Sequence, residues 1–155
     1  MSEYDSTLDT MDHIKKVWEL GLLVTNRLTD YLNDHDQTKL ISPEKEIFDE
    51  MTPKLASSTY GSDQYKEYLK HMKVALDHHY ERYEHHPEHF ENGIKDMSLL
   101  NVFEMLIDWK AATLRHDNGD ILKSIEINQE RFGYSNELKQ IFINTVEEME
   151  WENRK

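Results

Sequence analysis

The chain has 155 residues and a formal net charge of −13, from 31 acidic and 18 basic residues. This length fits one domain with its own core, and the excess negative charge, with no local basic patch, argues against nucleic-acid polymers as partners. The chain contains no cysteine, so disulfides are excluded and any metal ion must be held by imidazole and carboxylate groups.

Nothing in the sequence predicts a membrane segment. The longest apolar run, residues 20–24, is far too short to cross a bilayer. The acidic residues 1–12 lack the basic and apolar regions of a secretion signal. We therefore expect a cytosolic protein without a membrane partner.

The pattern of apolar residues in the first half of the chain predicts helices. Apolar residues at three- and four-residue spacings predict a first helix over residues 9–32, followed by a short helical turn over residues 35–40. Ser42 as N-cap and Pro43 at the first helical position predict the start of a second helix, which Pro53 ends or kinks. A third helix is expected from about Ser62. Its core face carries Tyr65, Leu69, Met72, Leu76, His79 and Tyr83.

The second half continues the helical pattern. Because proline disfavours the α-region in the preceding residue, the third helix is expected to end near Glu84, with residues 85–87 as a turn. A fourth helix, capped by Ser98, is apolar on most sides and is predicted to be central and buried. Two amphipathic helices follow, over residues 121–132 and from Ser135. The fold class predicted is all-α, a single compact bundle of about six helices over residues 1–155.

Metal-capable side chains recur in a fixed order along these helices. They are His13, His35, Asp36, His78, His79, His85, His86 and Asp108. Any one of these histidines, taken alone, is more simply read as a solvated or core residue. Asp108 is the most telling, because a carboxylate on an apolar helix is buried only when it is paired or binds a metal. Its alternative is a structural salt bridge to Arg27, Arg82 or Lys39.

Two further positions carry side chains that could belong to a metal site. Glu104, one turn before Asp108, is predicted to orient a metal-bound histidine, with a helix-packing ion pair as the alternative. The second His-Asp pair, His116-Asp117, precedes Asn118-Gly119 and is interpreted as the end of a helix.

The order of these residues resembles the ligand order of the HD-domain superfamily of metal-dependent phosphohydrolases. The string His35-Asp36-Gln37-Thr38-Lys39 and the later histidine pairs are similar to its cyclic-dinucleotide phosphodiesterase branch, but the Gly-Tyr-Pro element of that branch is missing. Over nearly the whole chain, the sequence is similar to a family of short bacterial and phage proteins that is catalogued only as a domain of unknown function. The residues that carry this similarity are His13 in the first helix, the HD string with Ser42-Pro43-Glu44 after it, the two histidine pairs and residues 104–109. The spacing from Lys39 to Ser42 is one residue longer than expected.

This resemblance implies a two-metal phosphohydrolase. Two divalent ions, of manganese, iron, cobalt, nickel or zinc, would be bridged by Asp36 and would activate a water near neutral pH. One ion would be held by His13, His35, Asp36 and Asp108. The other would be held by His79 and a histidine of the 85–86 pair, with His78 as a competitor. Asp36 and Lys39 would have catalytic roles, because Lys39 lies one turn beyond Asp36 and places a positive charge against a substrate phosphate.

Two other functions stay open at this stage. The same ligand order resembles diiron oxygenases of this fold, and imidazole and carboxylate ligands do not separate the two chemistries. A non-catalytic protein that binds a small molecule is the third hypothesis. The expected partner is a small, phosphorylated, nucleotide-like substrate, and assembly into a homo-oligomer stays open.

Overall fold

The computed structural model describes residues 4–58, 62–115 and 119–152. Within these ranges the chain forms helices and loops and contains no strand, so the all-α prediction is confirmed. The α-helices are α1 (Thr7–Asp34), α2 (Glu44–Ser57), α3 (Asp63–Arg82), α4 (Leu99–Thr113), α5 (Ile121–Phe132) and α6 (Asn136–Glu148). None of them is long and apolar enough to cross a membrane.

The chain divides into two units, Met1–His35 and Asp36–Lys155. The first unit is the helix α1, which begins two residues before the predicted helix and ends two residues after it. His13 lies in its second turn, and His35 is its C-cap residue, with an extended backbone. The expectation of a single domain stays a prediction.

The second unit begins with the 3₁₀ helix Gln37–Leu40, where the sequence predicts a short helical turn. Helix α2 follows, and here one detail of the prediction is wrong, because the N-cap residue is Pro43 rather than Ser42. Of the two effects expected of Pro53, an end or a kink, the structure rules out the end, since Pro53 lies inside the helix, which continues to Ser57. Helix α2 packs against α3, and this packing offsets the cost of about 3 kcal/mol that an interior proline imposes.

Helix α3 buries most of the face that its spacing predicts. Met72, His79 and, just beyond the helix end, Tyr83 are buried, whereas Leu69 is 37% exposed. The side chain of Tyr65, which was also predicted on this face, lies outside the described part of the chain. The helix ends at Arg82 and residues 84–86 form a turn before the 3₁₀ helix Pro87–His89, as the proline predicts.

Helix α4 is less buried than its composition predicts. Ser98 caps it in a capping box with Asn101, but only one face is buried, and Leu99 is 80% exposed. The buried face packs against α5 and α6, and with them it forms the main core. The buried members of that core are Val102, Met105, Leu106, Ile121, Ile125, Tyr134, Phe142 and Val146. The predicted helix end at His116-Asp117 lies outside the described residues.

Candidate metal centre

The position of Asp36 is set by an unusual backbone conformation and by contacts that involve the 3₁₀ helix and the end of α3. It is the N-cap residue of the 3₁₀ helix and has left-handed backbone angles, φ 59° and ψ 11°. Aspartate is one of the few residues other than glycine that tolerate this region. The backbone N–H of Thr38 donates to the hydroxyl of Tyr83 at 3.0 Å, which ties this turn to the end of α3. Lys39 Nζ lies 2.6 Å from Asp36 Oδ2.

The other oxygen of Asp36 faces histidines. Asp36 Oδ1 lies 3.1 Å from His79 Nε2 and 3.7 Å from His85 Nε2. His79 Nε2 also lies 3.0 Å from His86 Nε2. One ligand atom from each of these four residues falls within 4.8 Å of the other three. We call Asp36, His79, His85 and His86 the histidine–aspartate cluster.

The geometry of this cluster fits a single metal ion. Ligands held at 2.0–2.2 Å from one tetrahedral ion lie about 3.3 to 3.6 Å from one another. The three separations of 3.0, 3.1 and 3.7 Å bracket that range. Three imidazole nitrogens and one carboxylate oxygen are a donor set that suits zinc, iron, cobalt, nickel or manganese. The cluster therefore fits a divalent transition-metal ion.

Glu44 contacts the nitrogen of His79 that does not face Asp36. This residue, the first of α2, is fully buried, and its two oxygens lie 2.7 Å from His78 Nδ1 and 2.9 Å from His79 Nδ1. Burial raises the pKa of Glu44, but hydrogen bonds from Thr38 and His78 and the nearby His79 outweigh this and lower it below its ordinary value. Glu44 is thus an ionised carboxylate, which can only accept hydrogen bonds. Each Nδ1 must therefore carry the proton that it donates, and the lone pair of a neutral His79 is at Nε2.

A second carboxylate, that of Glu104, lies behind His85, but without the hydrogen-bond geometry that Glu44 has to His79. It projects from the buried face of α4, and its Oε1 lies 3.1 Å from His85 Nδ1. Both side chains are almost completely buried. His79 and His85 thus each have a buried carboxylate behind Nδ1 and Asp36 Oδ1 in front of Nε2. This is the arrangement in which metal-binding histidines are commonly held.

His86 and Asp108 complete the surroundings. Burial, followed by the positive charge that His85 and His79 carry when protonated, lowers the pKa of His86 to about 3, while Asp108 opposes this shift. The His86 imidazole is therefore neutral near pH 7, which is the form that binds metal. Asp108 is partly buried, and an oxygen of Asp108 lies within 4.8 Å of an oxygen of Asp36.

The structure distributes the predicted site residues unevenly. Within the second unit it brings Asp36 together with His79, His85 and His86, with Lys39, Glu104 and Asp108 close by. His78, the predicted competitor of His79, contacts Glu44 and is outside the groups of metal-capable atoms found in the described residues. Both histidines of the 85–86 pair join the cluster, although one was expected. His13 and His35 belong to the first unit, and their roles stay predictions.

Two residues of this region were not predicted from the sequence. Glu44 was interpreted as part of a helix start and of a string that carries the family resemblance, and Tyr83 as a core residue, but neither was given a role in the site. The sequence offers one weak signal for Glu44, since an acidic residue follows the HD string by only a few positions.

The described residues form an all-helical protein whose second unit brings three histidines and one aspartate together, with His79 and His85 buried and Asp36 and His86 partly buried. Residues 2–150 match a family described as a family of unknown function, DUF5662, and the chain belongs to that family. No curated protein and no solved structure matches the chain.

Proposed function

We propose that this protein is a metal-dependent hydrolase of the HD-domain type, which cleaves a phosphoester or phosphoanhydride bond in a small, nucleotide-like molecule. The observation that carries the proposal is the convergence of Asp36 with the Nε2 atoms of three histidines. A divalent ion at such a position polarises a phosphoryl oxygen and lowers the pKa of a coordinated water.

Asp36 and Lys39 would have separate roles beside the metal ion. An imidazole binds a metal ion in its neutral form, so Asp36 would supply the one negative charge among the four ligands. Its other oxygen, Oδ2, accepts a hydrogen bond from Lys39, so the Lys39 ammonium lies beside the cluster. A fixed cation in that position can bind a substrate phosphate and stabilise the charge that develops during its transfer.

The choice of a small substrate follows from charge. The net charge of −13 disfavours long polyanions, whereas a single phosphate group needs only a local cation such as Lys39.

The number of ions is a separate part of the proposal. The four ligand atoms of the histidine–aspartate cluster suffice for one ion. The expectation of a second ion rests on the ligand order of the sequence, in which His13, His35 and Asp108 complete the set. Elemental analysis of protein purified without added metal separates one ion per chain from two.

The activity is tested by a screen of nucleotides and simple phosphoesters with manganese, iron(II), cobalt, nickel and zinc. Release of phosphate, or of a nucleotide product, that a chelator stops would support the proposal. If no metal yields hydrolysis but an iron-loaded sample consumes dioxygen with an organic substrate, the diiron oxygenase reading replaces it. If neither reaction occurs and a nucleotide raises the melting temperature, the protein is a small-molecule-binding protein.

A further inference from the structure

Two buried carboxylates stand behind two of the four ligands of the histidine–aspartate cluster. Glu44 comes from the first turn of α2 and Glu104 from the middle of α4, so they reach the cluster from different helices. Each lies about 3 Å from the Nδ1 atom of one histidine, at 2.9 Å for His79 and 3.1 Å for His85.

Burial of the Glu44 carboxylate would cost free energy if the carboxylate had no hydrogen-bond partner. A carboxylate with no exposed surface loses its hydration, and this loss is recovered only through hydrogen bonds to the ionised form. The two oxygens of Glu44 contact His78 and His79, which are neighbours in one turn of α3. The same carboxylate therefore fixes the ring of His79 and the side chain next to it.

The orientation that results has a consequence for ligand geometry. An imidazole binds metal through the nitrogen that lacks a proton, and the hydrogen bond made by the other nitrogen decides which one this is. With Nδ1 of His79 turned to Glu44, Nε2 is directed to Asp36 Oδ1 at 3.1 Å and His86 Nε2 at 3.0 Å. Without Glu44, the ring could rotate or change its tautomer.

We propose that Glu44 is a positioning residue of the metal centre: it holds His79 so that Nε2 is presented to the metal ion. This inference rests on the metal site of the proposed function but not on the reaction. It assigns no contact with substrate to Glu44.

The test compares two substitutions in the same helix turn. Glu44→Gln removes the charged acceptor at nearly constant volume. Glu46→Gln removes the same charge from the same first turn of α2, where the side chain is exposed. Both changes remove a carboxylate from the first turn of α2, where the helix dipole favours negative charge. Glu44 contacts the histidines whereas Glu46 is exposed, so Glu46→Gln serves as the control for the loss of charge at the start of the helix. Zinc affinity of the full-length protein is measured by competition with a coloured chelator, with circular dichroism as the check on folding.

We expect Glu44→Gln to lose about 10- to 100-fold in zinc affinity, the loss typical when a partner of a metal-bound histidine is removed. Glu46→Gln should bind zinc as the unchanged protein does. Equal affinities in the two variants would overturn the inference.

A second measurement does not depend on either variant folding. Nitrogen-15 NMR of the zinc-loaded, unchanged protein should identify Nε2 as the bound nitrogen of His79 and a proton on Nδ1. Coordination through Nδ1 would also overturn the inference. Failure of the proposed function looks different: zinc binds through Nε2 and Glu44→Gln weakens it, yet no metal supports hydrolysis.

Discussion

At the scale of single residues, Asp36 joins two kinds of neighbour. Its Oδ1 faces His79 and His85, and its Oδ2 bonds Lys39. Its backbone is also in the left-handed region, which restricts the residues that can replace it without strain. Asparagine tolerates that region and keeps the shape of the side chain while removing the charge. Asp36→Asn is therefore a cleaner test than a change to alanine.

We expect Asp36→Asn to reduce zinc affinity by about 100-fold or more, since loss of a ligand should exceed the 10- to 100-fold cost of losing a ligand's partner. Competition with a chelator measures this. The matched control is Asp49→Asn on α2, where the aspartate is exposed and pairs with Lys45. Wild-type affinity in Asp36→Asn would contradict the assignment of Asp36 as a ligand.

Lys39→Met separates catalysis from metal binding. Methionine keeps much of the length of the side chain but removes the charge next to the cluster, so we expect turnover to fall by about 100- to 1,000-fold, as when one stabilising donor is removed. Zinc affinity should change by only a few-fold, because Lys39 contacts Oδ2 of Asp36, whereas Oδ1 is the oxygen that faces His79 and His85.

The control for this prediction is Lys45→Met, which removes an exposed lysine from α2. A fall in zinc affinity as large as the fall in turnover would mean that Lys39 acts by holding Asp36 in place and not on the substrate.

The site residues that could be predicted are those whose side-chain type alone indicates metal binding. Histidine pairs and an aspartate at the HD string suggested a metal site because those side chains bind metal in any fold. Glu44 could not be found in this way, since an acidic residue in a first helical turn is explained by the helix dipole alone. Its contacts are with His78 and His79, which lie 34 and 35 residues further along the chain.

At the scale of elements, helix starts were predicted well where a capping side chain decides them. Ser98 and Ser135 accept hydrogen bonds from the third backbone N–H beyond them, as serine N-caps do. Pro53 was predicted less well, because its effect depends on packing. The local rule favours a break, but the contact of α2 with α3 carries the helix on to Ser57.

The capping box at Ser98 sets the start of the helix that carries Glu104. Ser98→Ala removes a side-chain acceptor for the N–H of Asn101, and we expect it to lower the free energy of unfolding by about 1 kcal/mol. Urea denaturation followed by circular dichroism measures this change.

Ser57→Ala is the control for this prediction, because the Ser57 hydroxyl is exposed at the end of α2 and should matter by less than about 0.5 kcal/mol. Equal effects of the two changes would contradict the role of the capping box.

At the scale of the whole molecule, the metal site should couple to folding. The cluster and its two carboxylates come from a 3₁₀ helix, α2, α3, the turn after α3, and α4, so they meet only when these elements of the second unit have packed. A ligand that binds only the folded state stabilises it by mass action. The strongly acidic surface is a competing source of weak metal binding, and the charge of the ion alone would drive it.

We therefore expect zinc to raise the melting temperature of the full-length protein. Free zinc at 100 times its dissociation constant adds about 2.7 kcal/mol of stability. For a chain of this size, that corresponds to about 5 to 10 °C. Scanning fluorimetry with zinc, with magnesium, and with a chelator after zinc makes the measurement. Magnesium prefers oxygen ligands and should give little shift at equal concentration, and Asp36→Asn should remove the response to zinc. If zinc and magnesium raise the melting temperature equally, or if Asp36→Asn responds as the unchanged protein does, the stabilisation comes from the acidic surface and not from the cluster.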